Sequence, residues 1–259
     1  MTEFLPISST AHIKIISSFF GWEDPGAAFT AVVQLGTMLA LVVYFFKDMI
    51  GFISAGVRSL LKRNLLETTE SKQAWMIVCG TIPIVIFGLT FKGAIETYLR
   101  SLYVISGALI LLALLLALAE KMAVKKKEVK DVSWFESMVM GVAQALALVP
   151  GVSRSGVTIT AGLFTGLTRE AAARFSFLLS IPAVLTSGLY ELYEARGMLT
   201  SGGIAALIVS TLVSGVVGYL SIAFLLNFLK KHTTFVFIYY RLALGIIIII
   251  LLSAGALVP

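Results

Sequence analysis

Charge is scarce in this chain. Only 13% of its 259 residues are Asp, Glu, Lys or Arg, while 58% are hydrophobic. An ordinary soluble domain carries roughly 25% charged residues. So few charges cannot cover a soluble sphere rich in Leu, Ile, Val and Phe. This excludes an ordinary cytosolic enzyme, a disordered chain and a nucleic-acid module. Cysteine is almost missing: Cys79 stands alone in an apolar run, so neither a disulfide framework nor a cysteine metal site can be built. Two histidines, His12 and His232, are too few for a histidine-rich centre. There is no cleavable leader pattern either, because Met1 runs directly into Thr-Glu-Phe-Leu-Pro. What remains is a protein that crosses a membrane several times.

Apolar runs of the necessary length are present. A helix rises 1.5 Å per residue, so about 20 apolar residues cross a hydrocarbon core. The runs predict six spanning helices, near 27–46, 74–91, 101–119, 172–192, 204–229 and 236–257. They are much longer than the ~10 residues of a barrel strand. Two further apolar stretches do not read as spans. Residues 1–20 contain Glu3, Pro6, Ser8, Ser9, Thr10, His12 and Lys14. Residues 134–165 contain Pro150-Gly151-Val152-Ser153-Arg154-Ser155-Gly156 at their middle. Pro and Gly break helices, and broken backbone at membrane depth survives only inside protein or beside a wet cavity. Both stretches are therefore predicted to be re-entrant hairpins with broken tips. The expected fold is an all-α polytopic membrane protein with six transmembrane helices and two such hairpins.

The net charge of +6 is read as topological rather than as a polyanion-binding surface. Loop 47–73 holds Lys47, Arg58, Lys62, Arg63 and Lys72, and loop 120–133 holds Lys121, Lys125, Lys126, Lys127 and Lys130. Lys230 and Lys231 occupy a third loop, while the opposite side has only Lys92, Arg100 and Arg196. The basic loops are cytoplasmic by the positive-inside rule. Residues 1–20 then dip in from outside and 134–165 from the cytoplasm. Arg241, beside Tyr239 and Tyr240, reads as a snorkelling interfacial anchor.

The broken stretches resemble each other. Phe4-Leu5-Pro6-Ile7-Ser8-Ser9-Thr10 parallels Leu148-Val149-Pro150-Gly151-Val152-Ser153-Arg154-Ser155, and each precedes a span opening Phe29-Thr30 or Phe175-Ser176. Three spans follow each, so the second copy is inverted. A single membrane domain, 1–259, is expected. Its first repeat covers 1–119 with its tip at 1–20, and its second covers 134–259 with its hairpin at 134–165. Inverted repeats with broken helices place their site at the repeat interface. The first copy has only five residues before Pro6, which predicts a missing descending arm.

The tips collect the chemistry. Arg154 presents a rigid fork of donors that matches a phosphate, and Gly151 and Gly156 admit close backbone approach. Its alternative reading is an ion pair with Glu3. Ser9 and His12, three apart, share a helical face, so His12 is a candidate base for Ser9 or a nucleophile itself. Ser8, Ser9 and Thr10 read equally well as a helix cap. Ser153, Ser155 and Thr158 add hydroxyls. Glu3 is a candidate base or a ligand for Mg²⁺ or Ca²⁺, although one carboxylate is a poor metal site. Glu136 and Glu170 read as surface charges, and Gln144 as helix packing.

On Thr2-Glu3-Phe4-Leu5-Pro6-Ile7-Ser8-Ser9-Thr10-Ala11-His12 and Pro150-Gly151-Val152-Ser153-Arg154-Ser155-Gly156-Val157-Thr158, the chain resembles the undecaprenyl-diphosphatase family, the bacterial bacitracin-resistance membrane phosphatases. Gln34-Leu35-Gly36, Phe175-Ser176-Phe177-Leu178-Leu179 and Tyr240-Arg241 extend the likeness over nearly the whole chain. The resemblance implies removal of the terminal phosphate of undecaprenyl diphosphate, recycling the lipid carrier for cell-wall synthesis. It implies a plasma-membrane protein with an outward-facing site and a divalent cation. Its partners would be the polyprenyl diphosphate and membrane lipids, with bacitracin competing for the substrate, no nucleic acid, and room for a homodimer. The family carries two glutamates four residues apart. The second matches Glu3, and the first would precede Met1, on an upstream arm of roughly 18 residues. Ala11 replaces the family's glycine.

The expected mechanism has Arg154, Ser153 and Ser155 binding the phosphates, with Ser8, Thr10, Gly151 and Thr158 lining the site. A cation held partly by Glu3 offsets charge. Ser9 attacks with His12 as base, or His12 attacks. The rival reading is a transporter or flippase of the lipid-linked phosphate.

Overall fold

The computed structural model describes residues 1–21, 26–91, 93, 98–195 and 204–257. Lys92 and Arg196, counted above for the lysine-poor side, lie outside them. The described residues form ten α-helices and no strand. They are α1 (Ser9–Phe20), α2 (Gly26–Tyr44), α3 (Phe46–Leu61), α4 (Thr69–Thr90), α5 (Leu102–Met122), α6 (Trp134–Leu146), α7 (Arg154–Phe164), α8 (Arg169–Ala195), α9 (Ile204–Lys231) and α10 (Phe235–Ser253).

Five helices, α4, α5, α8, α9 and α10, are long and apolar enough to cross a membrane. Their starts follow local chemistry. Thr68 and Ser71 close a reciprocal capping box at the head of α4, and Ser101 caps α5. The sixth predicted span is α2, and here the structure corrects the sequence reading. The residues expected to form loop 47–73 begin with a helix, α3, bent 77° from the Gln34–Tyr44 part of α2. In α3, Phe46, Ile50, Ile53, Val57 and Leu60 are exposed at spacings of three and four, with Lys47, Asp48 and Arg58 between them. A stripe of that kind beside charges suits a helix lying in a membrane interface rather than one crossing it.

α1, α6 and α7 have 12, 13 and 11 residues, too short to span. α7 is walled in, since every residue from Ser155 to Leu163 is buried. It packs on α5, α6 and α8, and α8 in turn packs on α2, α4 and α9. α6 meets α4 at a very close crossing: a Cβ on Gly141 would stand 2.3 Å from the Gly80 carbonyl oxygen. Only glycine permits that approach. Phe177 of α8 holds the core beside the first tip, with Phe4 edge-on at 5.7 Å and Phe45 at 6.2 Å.

A polar node far from the tips was not expected from the sequence. Glu120, buried at the end of α5, accepts from Lys125, from Arg169 at the start of α8, and from the hydroxyl and amide of Thr234 before α10. It ties three helices together where the lysines cluster. Glu136 is likewise not a surface charge. It is buried, paired with Lys127 at 2.6 Å, and closes the capping box of Ser133 at the head of α6. Glu170 is a surface group, paired with Lys230 at 3.4 Å.

Candidate active site

The two broken tips are built alike. Pro6 and Pro150 each sit in non-helical backbone, and two or three residues later a serine caps the next helix: Ser8 for α1, Ser153 for α7. Both serines hold left-handed backbone, with φ 72° and ψ 103° at Ser8 and φ 68° and ψ 115° at Ser153. Such conformations cost a non-glycine residue roughly 1–3 kcal/mol and gather at functional sites. Each serine Oγ accepts the amide three residues on, Ala11 or Gly156. By this backbone match, Ser9 corresponds to Arg154 and Thr10 to Ser155.

The tips touch. The Gly151 amide donates to Thr10 Oγ1 at 3.2 Å. Gly151 has φ 95°, and a Cβ there would fall 2.6 Å from the Ile105 carbonyl oxygen, so this position requires glycine.

Arg241 joins them. Its guanidinium donates to the carbonyl oxygens of Pro6 on the first tip, of Gly151 and Val152 on the second, and of Ala108 and Leu109 on α5, at 3.1–3.4 Å. It is 1% exposed. This overturns its reading as a snorkelling anchor. The tips present carbonyls that broken helices leave unpaired, and a five-donor fork is the side chain able to satisfy several of them together. An ionisable residue followed by a charge-free run to the end of the chain was the available signal.

The reactive groups meet at Glu3. Phe4, packed on Phe177, anchors this stretch and leaves Glu3 at the rim. Ser9 Oγ donates to Glu3 Oε2 at 2.5 Å, and Arg154 Nη2 stands 3.8 Å from Glu3 Oε1. Arg154 Nε is buried with no partner among the described residues. Glu3 and Arg154 border a small cleft shared by Ser155, Thr37, Ser176 and Ser180 with Phe4, Leu41, Phe177 and Val184, and Ser9 joins it through Glu3. Thr37, Ser176 and Ser180 were not foreseen. They sit on α2 and α8, where hydroxyls in apolar helices look like packing groups.

The remaining predicted residues stand behind this cleft. Thr158 is fully buried, donating to the Arg154 carbonyl and bonded to Ser176 at 2.5 Å, so it braces the Arg154 backbone. Ser153 Oγ lies 3.3 Å from Ser155 Oγ, and Ser8 Oγ lies 3.1 Å from Thr10 Oγ1. His12 has both nitrogens engaged: Nδ1 with the Ser8 carbonyl and Nε2 with the Tyr240 hydroxyl, each at 2.6 Å. The expected Ser9–His12 partnership is thus not the one drawn by the hydrogen bonds, which give Ser9 to Glu3. Gln144 is fully buried with its amide unpaired among the described residues.

Protein side chains alone do not complete a metal centre here. Among the described residues no three His, Cys, Asp or Glu side chains cluster, and both oxygens of Glu3 already face Ser9 and Arg154. A hard cation seeks six or more oxygens. What the cleft supplies is a hydroxyl facing a carboxylate, a guanidinium, and several hydroxyls.

Known proteins share this sequence over nearly its whole length. The chain is 56% identical over 269 residues to the undecaprenyl-diphosphatase of Chlorobium phaeovibrioides, covering 100% of this chain and 95% of that protein. It is 56% identical over 266 residues to the protein of that name from Chlorobium limicola, covering 99% and 94%. The Prosthecochloris aestuarii protein of the same name is 54% identical over 264 residues, covering 98% and 94%. Residues 1–247, which hold both strained tips, the Glu3 carboxylate and Arg241, match the model of the bacitracin resistance protein BacA family, and the chain belongs to that family.

Proposed function

We propose that this protein is an integral membrane phosphatase that hydrolyses undecaprenyl diphosphate to undecaprenyl phosphate and inorganic phosphate. The observation that carries the chemistry is the single carboxylate of Glu3 joining Ser9 and Arg154. The family and its consistently named relatives support the substrate.

Arg154 takes the terminal phosphate on its fork, aided by the hydroxyl of Ser155. Ser9 Oγ attacks the terminal phosphorus as Glu3 receives its proton. The phosphoanhydride bond breaks, and undecaprenyl phosphate leaves with its electron pair. Glu3 passes that proton to the departing undecaprenyl phosphate; water then attacks the phosphoserine as Glu3 takes a proton from it, and Glu3 returns this proton to Ser9 Oγ as phosphate departs. Catalysis is chiefly positioning and charge neutralisation. Attack by His12 is the competing assignment. It is less favoured because the described hydrogen bonds commit both imidazole nitrogens elsewhere. Mg²⁺ or Ca²⁺ would come with the diphosphate and have Glu3 as its protein carboxylate.

The two short helical segments are read as re-entrant hairpins of an inverted repeat in a plasma-membrane protein. The matched dihedrals of Ser8 and Ser153 support this. The site is read as facing outside. Arg241 reaches Ala108 and Leu109, about 10 Å from the N-terminal end of α5 at 1.5 Å per residue, and that end is on the lysine-poor side. Bacitracin would compete for the lipid diphosphate.

Phosphate release from undecaprenyl diphosphate in detergent micelles tests the reading, because transport has no meaning there. Purified protein should release phosphate, and folded Arg154→Ala should not. Equal turnover by the two would refute the mechanism. Lipid movement in vesicles without hydrolysis would favour a flippase.

A further inference from the structure

We propose that Tyr240 is a positioning residue for His12, holding the imidazole through its second nitrogen and accommodating both of its protonation states. The inference rests on the reading above that the first tip is the reactive centre, where His12 holds the Ser8 carbonyl and with it the turn that presents Ser9. His12 Nδ1 lies 2.6 Å from the carbonyl oxygen of Ser8. A carbonyl only accepts, so Nδ1 carries the proton, and Nε2 is the nitrogen left to exchange one. That nitrogen meets the Tyr240 hydroxyl at 2.6 Å. The two rings lie within 3° of parallel with centroids 5.6 Å apart. A phenol both donates and accepts. It donates to Nε2 while the imidazole is neutral, and accepts from it once Nε2 is protonated, so neither state leaves a polar atom bare.

The placement follows from α10. Neighbouring residues on a helix point about 100° apart. Arg241 turns to α5 and the tips, and Tyr240 therefore turns toward α1. Because Arg241 locks this turn of α10 against both tips, the phenol is held at fixed height beside His12. Ser8, whose carbonyl supplies the other tether, is itself the strained cap of α1. The imidazole is thus clamped between a backbone atom of the first tip and a side chain from the far end of the chain.

The test is Tyr240→Phe, His12→Gln and the double variant, measured for phosphate release from undecaprenyl diphosphate in micelles and by ¹⁵N NMR of histidine-labelled protein. Tyr240→Phe should lower kcat by up to about tenfold, the worth of one hydrogen bond, with KM nearly unchanged. In the His12→Gln background it should cost nothing further. The wild-type spectrum should show His12 as the Nδ1–H tautomer, with its Nε2 signal displaced in Tyr240→Phe. Unchanged kcat in Tyr240→Phe, losses that multiply in the double variant, or an unmoved Nε2 signal would each overturn the proposal. Full activity of His12→Gln would also remove its basis. In that case a displaced Nε2 signal in Tyr240→Phe would assign the failure to the role given to His12, not to the hydrogen bond.

Discussion

Ser9 Oγ donates a hydrogen bond to one oxygen of Glu3 across 2.5 Å, and the other oxygen of that carboxylate faces Arg154 at 3.8 Å. One acidic side chain therefore faces both the hydroxyl of the proposed nucleophile and the guanidinium proposed to bind phosphate. In the proposed mechanism a phosphate on the fork would release Glu3 from Arg154 and leave it with Ser9.

Glu3→Gln removes the proton acceptor while keeping the size and a hydrogen bond to Ser9. Loss of a positioned base costs about 10²–10⁴ in rate. We expect kcat for phosphate release to fall by at least about a hundredfold with folding intact. Glu3→Asp, which keeps the charge but shortens the reach, should fall in between. A Glu3→Gln protein of wild-type kcat would assign the base elsewhere.

Arg241→Met and Arg241→Lys test the clamp. Either change strips donors from the carbonyls of Pro6, Gly151, Val152, Ala108 and Leu109. A buried acceptor left bare costs roughly 1–3 kcal/mol. Lysine cannot help much, because a point ammonium does not reproduce a planar fork. We expect both variants to lose thermal stability in detergent and to lose activity together with it. Retained melting temperature with Arg241→Met would mean that the tips hold without the clamp.

The clamp also marks where the sequence was readable and where it was not. Helix lengths follow from hydrophobic runs, so α4, α5, α8, α9 and α10 came out near their observed bounds. Arg154, Ser9 and Glu3 stood out because polar groups beside Pro and Gly are conspicuous in an apolar chain. Arg241 was visible but misread, because its nearness to a loop suggested an interface. Its partners are backbone carbonyls from segments 89 to 235 residues away, which no local pattern displays. The α2–α3 bend was hidden for a different reason: α3 carries Lys47, Asp48 and Arg58 among its apolar residues, and those charges read as loop. Thr37, Ser176 and Ser180 were hidden because a cleft hydroxyl and a packing hydroxyl are the same residue type.

Gly141→Ala examines the α4–α6 crossing that supports the second tip. The added methyl would lie 2.3 Å from the Gly80 carbonyl oxygen and 2.8 Å from its Cα. Backbone cannot yield as a flexible side chain does, so α6 must move away from α4. Overpacking of this kind costs about 1–3 kcal/mol. A lower melting temperature is expected, with activity reduced because α6 leads into Pro150 and the Arg154 tip. A Gly141→Ala protein as stable as wild type would show that the crossing has slack.

Acid stability offers an independent check at the head of α6. Burial alone would raise the Glu136 carboxyl, but hydrogen bonds from Lys127 and Ser133 outweigh it and hold the group at about 2, below its ordinary 4.5. A carboxylate with a depressed folded value stabilises the protein above the unfolded value and loses that contribution as pH falls through the folded one. The Glu136 contribution is therefore complete above about pH 5 and fades between about pH 4.5 and pH 2. Glu136→Gln should melt earlier than wild type at pH 7, and the gap should close as the pH is lowered through that window. Melting curves in detergent at stepped pH measure it. A gap that stays constant down to pH 2 would mean that the pair with Lys127 contributes nothing to stability and that Glu136 serves α6 through its cap alone.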